Sequence, residues 1–333
     1  MDHPLLDGVA EVAAESAFSG VVRVDRGGEL VLERAYGLAD RAYEVPNRSE
    51  TRFGIASGAK GMTALAVVGL VEEGRFALDT PARALLGDDL PLVADDVTVE
   101  HLLGHRSGIG DYLDEEAGGA ITDYVMPVPV HELAATEDFL AVLDGFPTKF
   151  AAGTGFSYCN GGFVLLALLA ERASGLPYHD LIHERVCEPA GMLATSFLRS
   201  DELPGDAARG YLEVEGLRTN VLHLPVRGTG DGGVYTTAAD VRRLWEALFD
   251  GRIVSEAWVE DMTRRRSDAG EGVGYGLGFW LRAGGTPFLE GYDAGASFRS
   301  LHDPATDTTC TVISNWSDGA WPLARHLAEG LGV

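Results

Sequence analysis

Apolar residues recur at helical spacing over residues 5–17, after which the period changes: Gly20-Val-Val-Arg-Val alternates, and residues 30–36 answer it across Arg26-Gly27-Gly28. This predicts a helix followed by a β-hairpin, because a helix repeats its buried face about every 3.6 residues and a half-buried strand every two. The last third returns to strand-like patterning at residues 274–282, 297–302 and 309–314, broken by Gly-Gly or Asp-Pro-Ala turns, and ends in a helix over residues 321–331. Between these ends the text is helical, at residues 59–73, 98–103, 137–143, 161–173 and 177–186. Thr237 caps a further helix that runs to Phe249 and stops at Asp250-Gly251, and Ser255 caps another.

Strands at both ends with helices between them imply that the N-terminal hairpin pairs with the C-terminal strands, with a helical domain inserted. The expected division is a discontinuous sheet domain, residues 1–55 and 225–333, and a helical domain, residues 56–224. Residues 111–130 hold few periodic apolar positions but contain Gly118-Gly119, Pro127 and Pro129. A stretch of that length without elements predicts a lid over a cleft.

Composition narrows the function. The chain carries 26 Lys+Arg against 51 Asp+Glu, a formal charge of −25, which excludes a nucleic-acid binder that neutralises phosphates with clustered cations. The longest apolar run, residues 162–170, is far short of the roughly 20 residues a spanning helix needs, so no membrane partner is expected. The N-terminus lacks the basic start and apolar run of a secretory signal, which predicts a cytoplasmic protein. Cys159, Cys187 and Cys310 are odd in number, widely spaced and expected to be unpaired.

Only Lys60 and Lys149 among the 26 cations are lysines. Arginine does not give up its proton, whereas a desolvated lysine becomes a neutral amine, so a base can be sought at these two positions. Lys60 follows Ser57 by three residues at a predicted helix start, which puts hydroxyl and amine on one face beside unpaired N–H groups and the positive end of the dipole. A second element, Tyr158-Cys159-Asn160, precedes the helix over residues 161–173. A tyrosine can relay a proton, and an asparagine offers both donor and acceptor to hold a lysine or a substrate amide. The pairs His101/His105 and His179/His183 have the spacing of a metal-binding helix face, but neither has the glutamate of a zinc protease, so structural or surface histidines and no metal are expected.

Six blocks stand in order: Phe53-Gly-Ile-Ala-Ser-Gly-Ala-Lys60, Leu70-Val-Glu-Glu-Gly-Arg-Phe-Ala-Leu-Asp79, His101-Leu-Leu-Gly-His-Arg-Ser-Gly108, Gly153-Thr-Gly-Phe-Ser-Tyr-Cys-Asn160, Gly191-Met-Leu-Ala-Thr-Ser-Phe197 and Gly232-Gly-Val-Tyr-Thr-Thr-Ala-Ala-Asp240. Together they resemble the serine β-lactamase and penicillin-recognising superfamily, in its branch of class C β-lactamases, DD-peptidases and related esterases. The resemblance implies an α/β fold of the α+β type: a mainly antiparallel sheet flanked by helices, an inserted all-helical domain, and a site in the cleft between them. It implies Ser57 as the nucleophile of an acyl-enzyme, Lys60 as its base, and Tyr158 as the group moving protons to the leaving group and from water, with no cofactor. Whether Lys60 or a tyrosinate form of Tyr158 takes the first proton stays open.

The oxyanion hole implied by the resemblance joins the Ser57 N–H to one from an edge strand, where the family has Lys-Thr-Gly or His-x-Gly. Here the text is Glu290-Gly-Tyr-Asp-Ala-Gly-Ala-Ser-Phe298, with no lysine or histidine. Aligning Asp293-Ala294-Gly295 with the motif makes Ala296 the donor; aligning Gly291-Tyr292-Asp293 makes it Ala294. An aspartate in place of the cation disfavours carboxylate-bearing β-lactams unless Arg299 or another arginine compensates. The expected activity is therefore a serine esterase or amidase acting on a small neutral or cationic ester or amide. The alternatives are a β-lactamase or DD-peptidase acting on a lactam or peptide, an acyltransferase, or a ligand-binding relative without turnover.

Overall fold

The computed structural model describes residues 8–331, so the start of the first expected helix, residues 5–7, lies outside the described residues. The two ends of the chain build one eight-stranded sheet. Its strands are β1 (Gly20–Arg26), β2 (Glu29–Tyr36), β3 (Ser267–Gly270), β4 (Val273–Tyr275), β5 (Trp280–Leu281), β6 (Pro287–Asp293), β7 (Ala296–Asp303) and β8 (Thr308–Ser314). They lie in the order β2-β1-β8-β7-β6-β5-β4-β3, antiparallel throughout.

Both faces of the sheet are covered. On the outer face α1 (Val9–Glu15) and the closing helix Ala320–Leu331 bury Val22, Val24, Leu301 and Val312. On the inner face Val21, Leu289, Phe298 and Ile313 join the main core with α2 (Ala59–Glu72) and α3 (Asn160–Ser174), which pack on each other. Helix α2 is buried nearly all round, as befits an apolar helix held between a sheet and other helices. Strand β8 is buried at every position, which accounts for its lack of clean alternation.

The structure refines several expectations. The strand expected over residues 274–282 is two short strands, β4 and β5, joined by a turn in which Gly276 N–H donates to Phe279 O at 2.9 Å. The helix expected over residues 177–186 is Tyr178–Ile182 followed by a wider turn, His183–Cys187, and Glu188–Ala190; Pro189 has no N–H with which to continue a regular ladder. Thr237 caps its helix through Oγ1, which accepts the Asp240 N–H at 3.1 Å, whereas Ser255 holds the cap position of Glu256–Met262 without a side-chain bond.

The strand expected at an edge, β6, is interior in the strand order. Only Pro287 and Phe288 pair with β5, so from Leu289 onward one side of β6 has no strand neighbour. The short turn Ala56–Gly58 fills that side. A Cβ added at Gly58 would lie 2.5 Å from the Phe298 ring, and one added at Gly291 would lie 2.1 Å from Ile55 O and 2.9 Å from Ser57 N. These two glycines let the turn press directly onto the sheet.

Candidate active site

Ser57 sits in that turn, immediately before α2, and its neighbour Ala56 has φ +47, a left-handed backbone that non-glycine residues rarely adopt. One helical turn on, Lys60 is buried, and its Nζ lies 2.8 Å from Ser57 Oγ, 2.8 Å from Asn160 Oδ1 and 2.8 Å from the Asp231 carbonyl oxygen. A neutral amine has two N–H groups and one lone pair. The amide oxygen and the carbonyl can only accept, so they take both N–H groups and leave the lone pair to the Ser57 hydroxyl.

Asn160 is oriented in turn: its Nδ2 donates to Leu113 O at 2.9 Å and to Glu115 Oε1 at 3.2 Å. It opens α3, whose cap is shared. Cys159 Sγ accepts the Gly162 N–H, and the Asp111 carboxylate accepts the N–H groups of Asn160 (2.6 Å) and Gly161 (2.8 Å). The Tyr158 hydroxyl hydrogen-bonds with Ser57, and its ring is stacked on Trp280 with centroids 5.6 Å apart. The structure thus brings Ser57, Lys60, Tyr158 and Asn160 together.

Burial pulls the Lys60 amine below its ordinary value, against the opposing pull of Asp231, Glu115, Asp293 and Asp111. Burial, reinforced by Glu115, pushes the Tyr158 hydroxyl well above its usual range, which disfavours a tyrosinate. The carboxyls are also displaced: burial and Asp231 raise Asp293 to about 7, and burial raises Asp111 to about 6 despite its N–H bonds. Asp231, raised by burial, accepts a hydrogen bond from the Tyr112 hydroxyl at 2.5 Å.

Ser57, Asn160, Asp231 and Asp293 line a cleft of about 840 Å³ together with the apolar Ile121, Met126, Leu224 and Val226 and with Tyr124. The segment expected as a lid does border the cleft. It is tied to the site by Asn160, by Tyr112 and by Lys149, whose Nζ meets Asp114 Oδ1 at 2.8 Å and Ser157 Oγ at 3.2 Å.

The structure departs from the expected oxyanion donors. Asp293 and Ala296 pair directly across a two-residue turn, a geometry in which the Ala296 N–H is spent on the Asp293 carbonyl. The Gly295 N–H goes to Ser317 Oγ at 2.9 Å, and the Ala294 N–H bonds with Asp293 itself. Gly295 and Ala296 instead border a neighbouring cavity of about 390 Å³ behind Ala56. Ladder alternation turns the N–H of Tyr292 to the open side of β6, beside Gly291 and the Ser57 backbone. Arg299 is engaged by Glu290.

Asp111, Glu115 and Asp231 escaped sequence reasoning, although Asp111 closely follows the block ending at Gly108 and Asp231 directly precedes the block starting at Gly232. Among the histidines, His101 closes a capping box with Thr98, and His179 Nε2 lies 2.8 Å from Gly228 O. No cluster of three or more His, Cys, Asp or Glu suited to a metal is found among the described residues, and no helix there is long and apolar enough to cross a membrane.

Residues 8–330 match the profile of the family described as Beta-lactamase. The chain is similar to the esterase EstB of Burkholderia gladioli, 33% identical over 290 residues, which cover 78% of this chain and 74% of that protein. It is 30% identical to the D-aminopeptidase of Brucella anthropi over 94% of this chain but only 59% of that longer protein. In structure it is similar to a penicillin binding protein from Bacillus halodurans, with a TM-score of 0.91 and 34% identity, covering 96% of this chain and 99% of that one.

Proposed function

The chain belongs to the Beta-lactamase family and is a serine hydrolase of that family, and we propose that it acts through an acyl-enzyme on a small neutral or cationic ester or amide. The observation that carries this reading is the Lys60 Nζ, 2.8 Å from Ser57 Oγ and from two groups that can only accept, Asn160 Oδ1 and the Asp231 carbonyl, so that the neutral amine would turn its lone pair to Ser57. Lys60 takes the Oγ proton as the oxygen attacks the carbonyl carbon. The oxyanion is received by the Ser57 N–H and the Tyr292 N–H, an interaction worth several kcal/mol in such enzymes. Tyr158 passes a proton to the departing alcohol or amine as the bond breaks, and the proton that Lys60 took from Ser57 replaces it. Water then attacks the acyl carbon, giving its proton back through the same groups and releasing the acid.

Asp293 sets the substrate's charge. It stands beside Asp231 and Glu115, with Lys60 opposing them, an environment that repels the carboxylate of a penicillin or a C-terminal peptide. An ester or an amide without a negative charge fits it, in line with relatives named esterase and D-aminopeptidase.

Intact-protein mass spectra after exposure to a fluorophosphonate test the reading. The native chain is expected to gain one adduct, Ser57→Ala none, and Lys60→Ala the adduct at a much lower rate. An adduct that persists in Ser57→Ala would overturn the assignment.

A further inference from the structure

We propose that His105 is a positioning residue that holds Tyr158 in place by acting as the partner strand of the segment around it. Ser157 N–H donates to the His105 carbonyl oxygen at 3.0 Å, and Cys159 N–H donates to His105 Nδ1 at 3.1 Å. In an extended segment the N–H groups of residues i and i+2 point the same way, so the two bonds flank Tyr158, holding the chain at Ser157 before it and the peptide plane that follows it. One residue supplies both acceptors, the carbonyl and the ring, because its backbone turns back at φ +54. The ring then lies 4.4 Å from the Tyr158 ring, between it and Tyr275 at 4.6 Å.

The bond to Cys159 also fixes the imidazole. Nδ1 accepts, so the ring proton sits on Nε2, which is buried and has no hydrogen-bond partner among the described residues. That N–H is surrounded by the rings of Tyr275, Phe163 and Phe156, whose faces can receive it weakly. A neutral ring here places no second positive charge beside Lys60. The inference rests on the proton-transfer role proposed for Tyr158.

The test compares His105→Asn, whose amide oxygen can stand where Nδ1 stands, with His105→Phe, which keeps a ring and loses the acceptor. Hydrolysis of p-nitrophenyl butyrate and alanine p-nitroanilide is measured in each, alone and combined with Tyr158→Phe. Displacing a reacting group by about 1 Å costs on the order of 100-fold. His105→Phe is therefore expected to lower kcat about 10- to 100-fold with KM little changed, while His105→Asn stays within about threefold of the native chain. In the Tyr158→Phe background, His105→Phe should cost almost nothing more. Equal losses in the two variants, or losses that add to that of Tyr158→Phe, would overturn the proposal. If Tyr158→Phe alone leaves kcat intact, the proposed role of Tyr158 has failed, and the positioning role falls with it. Without any substrate, ¹⁵N NMR of the native chain should find the His105 proton on Nε2, and a proton on Nδ1 would overturn the clamp.

Discussion

Replacing Asp293 by asparagine keeps the size of the side chain and removes one negative charge from the cleft. The consequence can be worked from the strand. Gly291, with its backbone against Ser57 N, lies two residues before Asp293 on the same face, and two residues of strand span roughly 6.6 Å. A unit charge on a substrate held at Ser57 therefore lies about 7 Å from the carboxylate. With an effective dielectric of about 20 the interaction is roughly 2.4 kcal/mol, and screening at physiological salt leaves about 1 kcal/mol. Asp293→Asn should then lower kcat/KM for a cationic ester about 5- to 60-fold and raise it by the same factor for an anionic one, leaving a neutral isostere unchanged. The assay is a matched set of p-nitrophenyl esters whose acyl chains end in a trimethylammonium, a methyl or a sulfonate group.

The direction with pH follows from the raised carboxyl. Asp293, pushed up to about 7, is neutral below that value and anionic above it, so the native preference for the cationic ester should grow between pH 6 and pH 8. Taking the ratio of two esters on one enzyme cancels the ionisation of Lys60. The same ratio should change much less with pH in Asp293→Asn, where only the more distant Asp111, pushed up to about 6, and Asp231 are left to titrate near the site. A ratio that does not change on substitution, or that falls as pH rises, would refute the reasoning.

Gly291→Ala places a methyl group 2.1 Å from the backbone oxygen of Ile55, and overpacking against rigid backbone should cost about 1–3 kcal/mol in urea unfolding together with most of the activity. Asn160→Ala strips Lys60 of a buried acceptor, a loss of about 1–3 kcal/mol that should appear as an about 5- to 160-fold lower kcat in steady-state kinetics. Lys149→Met removes the partly exposed pairs to Asp114 and Glu116; global stability should fall by less than about 1 kcal/mol, while hydrogen exchange in residues 112–126 quickens.

How much of this was legible in the sequence depended on whether the chemistry was local. Ser57 and Lys60 declare themselves because three residues of helix is one turn, and Tyr158 and Asn160 because they open the next long helix. The register of β6 did not, because Asp-Ala-Gly-Ala carries no alternation from which to read where the turn falls. The two-residue turn at Ala294-Gly295 moved the register away from both alignments. Asp111, Glu115 and Asp231 looked like any of the 51 acidic residues of the chain. What distinguishes them is long-range, a helix end, an amide and a tyrosine that reach them from other elements. The stretch over residues 111–130 looked free for the same reason, since the groups that tie it down lie far along the chain.

The strand that enters the sheet between β1 and β7 is also the last of its strands to be made. Gly20 pairs with Ser314 and Arg26 with Thr308, so the N-terminal hairpin waits through most of translation for its neighbour. Bringing such distant segments together is entropically slow, and an unpaired strand edge is exposed meanwhile. A nascent chain that ends before residue 308 already contains Ser57 and Lys60, yet β6 and β7 lack the strand that joins them to β1, and the turn bearing Ser57 has no finished surface to press against. The surface against which Ser57 packs is thus completed only when the last strand of the sheet has been made.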